Sequence, residues 1–477
     1  MMRYWLLILG GVLLAGCAHF KAQPLSPEQT ATQLEARRLD DPGLKTFLET
    51  NLGRPFNDWP VTRWNFQELT LVAFYFHPDL EVARAQWLVA QGGVKTAGAR
   101  PNPSVTVNPA YDTQIPGNYS PWLIPVSFDI PIETAGKRGK RIAEAEKNAE
   151  SARFSFMQAA WKVRSDVRSA LQDFTFAQRR AALLQQSLVT QKQIVKLLQQ
   201  RLDAGEISRP DLTLAGIALN HTQLDLSDAL SATADARSHL AQSLGLSAAA
   251  LAGEKFDPEV FRADMSRLTS AAARRVALCT RADILAALAD YAAAEDDLRL
   301  QVAKQYPDLH LGPGYAWNNG NAGDNEWSLG VTLELPILDQ NQGPIAEAEA
   351  NRKLAAAKFI ALQAQVIAEI DRAVADFRVA REQLQTGNQL FAAEERQQKS
   401  AEEQLETGDS DRLDSHNAEL ELSSARVARL DSEAKLQTAR AALEDALQQP
   451  ADAIAAIIEK LPTETSALEN PGPKKSK

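Results

Sequence analysis

The stretch IAEAEKNAESARFSFMQAAWKV, residues 142–163, decides how this chain folds. Its small and apolar residues fall at Ile142, Ala145, Ala149, Ala152, Phe156, Ala159 and Val163. These alternating steps of three and four are the seam of a coiled-coil helix. The step to Val167 is four where three was due, a stutter that locally unwinds the supercoil. The seam resumes through Ala170, Phe174, Ala177, Ala181, Leu184, Leu188, Gln191, Val195, Leu198 and Leu202. At 1.5 Å per residue this helix reaches about 90 Å, more than a compact core can bury.

The helix occurs twice. The segment Ile-Ala-Glu-Ala-Glu at 142–146 recurs at 345–349, an offset of 203 residues that also carries Gly205 onto Gly408. Copies so few and so long indicate a duplicated domain and not a short-period solenoid.

Each long helix follows a pair of strand patterns. In the first, Val105, Val107 and Tyr111 alternate with polar or small residues, and so do Ile124, Val126, Phe128, Ile130 and Ile132. In the second, Leu309, Leu311, Tyr315 and Trp317 are followed by Trp327, Leu329, Val331, Leu333 and Leu335. Each strand is expected to be about ten residues, the length that crosses a bilayer when tilted. A helix from Phe66 to about Ala99 precedes the first pair, ended by Arg100-Pro101-Asn102-Pro103. A helix from about Asp283 to Ala303 precedes the second. After each long helix comes a glycine turn, Asp203-Ala204-Gly205-Glu206 or Gly408-Asp409-Ser410-Asp411, and then a returning helix. Tyr111, Tyr119, Trp122, Tyr315, Trp317 and Trp327 lie at or near strand ends, where an aromatic girdle would meet lipid headgroups. A small soluble sheet with aromatic edges is the other reading. In lipid, four strands with open edges cannot stand alone, so the membrane reading demands oligomerisation.

At the N-terminus, Arg3 and the apolar run Tyr4 to Leu14 read as a secretory signal, too short to span a membrane as a helix. Leu14-Ala15-Gly16-Cys17 resembles a bacterial lipobox, with Cys17 the lipidated first mature residue; an ordinary signal peptide with a chance cysteine is the alternative. Acyl chains would anchor the chain without spanning. Cys279 then has no partner and is expected to be a small buried residue in an Ala-rich helix.

A net charge of −10 argues against nucleic acid, whose phosphates need clustered Lys and Arg. The expected divisions are 1–16 signal peptide, 17–65 lipidated strap, 66–246 first repeat, 247–280 linker, 281–449 second repeat and 450–477 tail, the last disordered at its end.

The order strand pair, long helix, glycine turn and return helix, repeated behind a lipobox, resembles the TolC-type outer-membrane efflux channel family. Arg100-Pro101-Asn102-Pro103, the run Pro131-Ile132-Glu133-Thr134-Ala135-Gly136-Lys137-Arg138 and the run Leu335 to Gly343 are similar to its CzcC-like heavy-metal branch. The resemblance covers about Phe66 to Leu447. It implies a mostly α fold in which each chain of a homotrimer gives four strands to a twelve-stranded transmembrane β-barrel. A coiled-coil α-helical barrel continues it into the periplasm, meeting an adaptor protein and an inner-membrane pump. It implies passive conduction of heavy-metal cations, or drugs, out of a Gram-negative cell. By position after the second turn, Asp414 matches the family's acidic gate, while the next such position holds Asn417, a departure that halves the expected acidic ring; Asp211 is a further gate candidate. Asp414 also fits a helix N-terminal acid stabilised by the helix dipole. Gly205, Glu206, Ser208, Gly408, Asp409, Ser410 and Arg412 are candidates for adaptor contact, or solvated turn residues.

No catalytic constellation appears, so an enzyme and a cofactor are not expected. Gly312-Pro313-Gly314 lacks the third glycine of a dinucleotide fingerprint and reads as a strand irregularity. The histidines His19, His77, His221, His239, His310 and His416 are dispersed with no pair at metal-ligand spacing. Two rivals share these features in part: a type I protein-secretion channel, and a non-conducting coiled-coil envelope lipoprotein.

Overall fold

The computed structural model describes residues 20–111, 113–114, 121–257, 271–318 and 326–449. Cys17, His19, Tyr119, the signal peptide and the tail of the sequence reading lie outside these residues. Two short helices, α1 (Pro27–Glu35) and α2 (Pro42–Leu52), precede α3 (Phe66–Phe76) and α4 (Pro78–Ala97). The sequence suggested one helix from Phe66 to Ala99. Pro78 instead starts a new helix, because it has no N–H and pushes His77 to extended geometry, ψ 123°. His77 closes α3 and caps α4, its Nδ1 accepting from the Asp79 N–H at 3.2 Å.

The strands are β1 (Ser104–Val107), β2 (Ala110–Tyr111), β3 (Trp122–Ile132), β4 (Leu309–Asn318) and β5 (Glu326–Leu333). All neighbours are antiparallel, in the order β1-β3-β4-β5, with β2 continuing β1 along β3. The expected first strand of ten residues is therefore split, at Asn108-Pro109, where proline cannot donate to the ladder. The β4 register runs through Gly312-Pro313-Gly314 without a bulge, Gly312 facing Gly330. A Cβ on Gly314 would stand 2.6 Å from Ser328 Oγ, so the glycine is what lets β5 approach there.

Between the strand pairs lies the hairpin α5 (Lys137–Asp203) and α6 (Arg209–Ser243), a 3₁₀ turn Ala248–Leu251, then α7 (Ala271–Thr280) and α8 (Ala282–Ala303). After the sheet comes the second hairpin, α9 (Gln342–Thr407) and α10 (Arg412–Leu447). The two long helices have 67 and 66 residues, roughly 100 Å each. Among the described residues no helix is long and apolar enough to cross a membrane, which says nothing of a β-barrel. Cys279 is exposed, a correction to the expectation of burial: Ala273 and Ala277 form the packed face of α7, and Cys279 points off it.

The main core sits where the stutter falls. There Ala160, Trp161, Val163, Arg164, Val167, Arg168, Ala170 and Leu171 of α5 are all buried, so the helix is enclosed by neighbours and not packed along one seam. The strap segment contributes Leu44, Leu48 and Trp64 to this core, each fully buried, beside α3. Truncating Trp64 would cost about 3–5 kcal/mol at such a site. The second repeat has a smaller cluster at the matching level, around Val366 and Ile370.

Two buried arginines cross this level. Arg164 Nη2 and Arg168 Nη1 reach the two oxygens of Glu444 in α10 at 2.6 and 2.5 Å, and Arg168 Nη2 reaches Asp445 Oδ1 at 2.6 Å. The Arg164 guanidinium also lies 5.0 Å from the ring centroids of Phe66 and Trp161. This cluster joins the long helix of one repeat to the return helix of the other.

Candidate functional site

The strand register sorts the side chains into two faces. Val105, Val107 and Tyr111 stand opposite Phe128, Val126 and Trp122. Ile124, Val126, Ile130 and Ile132 stand opposite Trp317, Tyr315, Leu311 and Leu309. Tyr315, Pro313, Leu311 and Leu309 in turn face Trp327, Leu329, Val331 and Leu333. One face is thus apolar from edge to edge, yet Trp327, Leu329 and Val331 are 84, 72 and 61% exposed. The other face carries Ser104, Thr106, Ser127, Asp129, His310, Gly312, Gly314, Ala316, Ser328, Gly330 and Thr332. That face also holds Leu123, Pro125 and Pro131, so it is mixed polar and small with three apolar positions on β3. An exposed apolar face as wide as the first marks a membrane or protein contact, and the alternation is that of a barrel wall.

The aromatic candidates among the described residues gather at one end of the sheet, the end away from the helices. Tyr111 and Trp122 meet edge to face with centroids 5.1 Å apart, and Tyr315 and Trp327 lie 4.7 Å apart. Trp317 sits opposite Ile124 between them.

The opposite end is stitched to the helices by the run from Pro131 to Arg138, whose individual roles the sequence did not disclose. Asp308 accepts from Lys137 Nζ at 2.8 Å and from the Thr134 N–H at 2.8 Å. These bonds outweigh its partial burial and hold its carboxyl below the usual range. Arg138 donates to Gly98 O at 2.7 Å, and Arg141 to Ala97 O and Ala99 O, each at 3.2 Å, while pairing with Glu133. They satisfy the last carbonyls of α4.

At the far end of the hairpins both turns use the same grammar. Gly205 and Gly408 take φ +78° and +83°, and Glu206 N–H and Asp409 N–H return to Arg201 O and Gln404 O at 2.9 and 2.8 Å. This is the Schellman closure, which needs a left-handed residue. A capping box opens each return helix. Asp211 accepts from the Ser208 N–H and hydroxyl at 3.1 and 2.6 Å, which lowers its pKa. Asp411 caps α10, and Asp414 accepts from the Asp411 N–H at 3.5 Å. The two tips are joined by an ion pair between Arg201 and Asp411. That bond holds the Asp411 carboxyl below its ordinary range and raises the Arg201 pKa. Of the contact candidates, Gly205, Glu206, Ser208, Gly408, Asp409 and Arg412 are exposed, and Ser410 is half-buried. Asn417 is exposed on the first turns of α10, the same end that carries Asp414.

Among the described residues no group of three or more His, Cys, Asp and Glu could hold a metal ion.

A sheet with one lipid-compatible face, free edges and paired coiled-coil hairpins beneath it defines one subunit of an envelope channel. The chain belongs to the outer membrane efflux protein family, whose model matches residues 76–246 and 273–448. It is therefore an outer-membrane efflux protein and not an enzyme. The cobalt-zinc-cadmium resistance protein CzcC of Cupriavidus metallidurans is 25% identical over 73% of this chain and 81% of its own length. The nickel-cobalt-cadmium resistance protein NccC of Alcaligenes xylosoxydans xylosoxydans is 23% identical over 71% of this chain and 75% of its own. The crystal structure of the outer membrane protein VceC from Vibrio cholerae superposes with a TM-score of 0.67 at 19% identity, over 81% of this chain and 97% of that one.

Proposed function

We propose that three copies of this chain close into one channel that conducts divalent heavy-metal cations out of the cell. An inner-membrane pump would supply the driving force, and a periplasmic adaptor would grip the hairpin tips. The observation that carries the reading is the pair of unlike edges. At one side lie β1 and β2 of the first repeat and, below, α6, which packs mainly on α5 and exposes Leu214, Leu224 and Leu230. At the other lie β5 and α9 of the second repeat, which exposes Leu354, Ile360 and Val379. Unlike edges pair head to tail, and a head-to-tail contact that closes makes a ring. Twelve strands would then leave no edge in lipid, the apolar face outward and the polar face lining the bore.

The metal-resistance roles named for the two relatives support metal cations as cargo, and the chain's net negative charge is compatible with cations. Cys17 would carry the acyl anchor, and Asp414, with Asp211 and Asn417, would surround the periplasmic mouth. The test is single-channel conductance of the purified protein in planar bilayers, with oligomeric mass determined in the same detergent. Trimers giving discrete cation-preferring openings support the reading. Monomers without conductance overturn it in favour of a lipid-anchored coiled-coil spacer.

A further inference from the structure

We propose that the His310 imidazole is a transient ligand for borderline divalent cations on the channel wall, positioned by Asp129. The inference rests on the channel reading above. His310 Nδ1 lies 2.9 and 3.1 Å from the two carboxylate oxygens of Asp129. Both residues belong to the polar face, His310 opposite Pro131 and Thr332, and Asp129 opposite Ser104. A carboxylate at Nδ1 calls for a proton there, which leaves the lone pair on Nε2. Histidines that bind metals use this arrangement: one nitrogen ligates while the other donates to a carboxylate that fixes the tautomer and raises ligand basicity. The side chains are 40 and 49% exposed, so both are accessible to ions in solution.

The surroundings favour cations. His310 lines a cavity of about 780 Å³ at the helix end of the sheet, whose walls include Asp308, Glu334 and Asp339. Asp308 is engaged by Lys137 and Thr134, whereas Glu334 makes no ion pair among the described residues. Imidazole selects zinc, cobalt and nickel over magnesium and calcium, which prefer oxygen ligands. A single protein ligand, with water completing the shell, binds weakly and exchanges fast, as conduction requires. Copies in a ring would stand four strands apart at ~4.8 Å per strand, too far to share an ion.

The experiment uses the full-length protein in planar bilayers with KCl, adding zinc, cobalt or magnesium chloride. Zinc and cobalt should reduce the wild-type current where equal magnesium does not. His310→Ala and His310→Gln remove the ligand itself and, measured against each variant's own KCl current, should raise the half-blocking zinc concentration by more than about tenfold. Asp129→Asn, which removes only the positioning partner, should raise it less, by about tenfold. Equal block by magnesium, or unchanged zinc block in both His310 variants, overturns the proposal. A second readout is independent of conduction: diethyl pyrocarbonate modification of His310 in detergent, read by mass spectrometry. Protection by zinc but not magnesium supports the ligand role even if no KCl conductance is found, an outcome that would sink only the channel reading. Absence of zinc protection overturns the ligand role.

Discussion

Arg201, in the last turn of α5, pairs with Asp411, the N-cap of α10, so one ion pair ties the tips of the two hairpins together. The pair is solvent-accessible, so its contribution is small and screened by salt. If the hairpin tips close the proposed channel, Arg201→Ala should raise open probability in bilayer recordings only slightly, and added salt should reproduce part of the effect in the wild type. The pairing lowers the Asp411 pKa, so its stabilisation is fully present above the unpaired value of ~3.9 and is lost as pH falls through the depressed value. Opening by this route should be flat between about pH 5 and 8. A rise within that window would show that a group other than Asp411 controls opening.

Asp414 contributes both a charge and a cap, and two substitutions separate them. Asp414→Asn keeps an acceptor for the Asp411 N–H while removing the charge. It should lower cation preference, measured from reversal potentials in a KCl gradient, with an unchanged melting temperature. Asp414→Ala should also lose about 0.5 kcal/mol of helix stability. Unaltered preference in both would leave Asp414 as a cap alone.

The two faces of β5 should respond oppositely to charge. Val331→Arg, on the apolar face, should cost about 2–4 kcal/mol in lipid and abolish membrane insertion. Thr332→Arg, one residue on, should insert normally and change only conductance. Fractionation of outer membranes reads both, and equal tolerance of the two would contradict the assigned faces.

Glu444 satisfies Arg164 and Arg168 together in the core. Glu444→Ala removes an acceptor that the two buried arginines share, while Arg168 keeps Asp445 and Ala441 O. It should destabilise the fold in thermal denaturation by the low end of the about 3–5 kcal/mol of a broken buried pair. Glu444→Gln, which keeps the shape and one acceptor, should cost less.

Much of this architecture is written in local pattern. Steps of three and four gave the hairpins, strict alternation gave the sheet faces, and the 203-residue offset gave the duplication. The breaks were harder to read. Pro78 and Pro109 interrupt otherwise continuous patterns, and a pattern of apolar residues weights neither the missing N–H nor the steric push on the preceding residue. The pairings across the fold were out of reach. His310 meets Asp129 across 181 residues and Arg201 meets Asp411 across 210, so spacing along the chain could place neither. Only the strand register and the packing of α5 on α10 bring them together. Cys279 failed for a simpler reason: an Ala-rich helix buries one face, and composition does not say which.

The unlike edges of the sheet also bear on how the protein is made. If three copies close the wall as proposed, a single chain cannot complete it, and until two more arrive it shows bare strand backbone and an oily face to an aqueous compartment. Yield of the mature assembly should rise steeply with expression level, and chaperones that shield such surfaces should limit it. A copy with one spoiled edge would still accept a neighbour on its sound side, so a single faulty allele should poison the product of a healthy one.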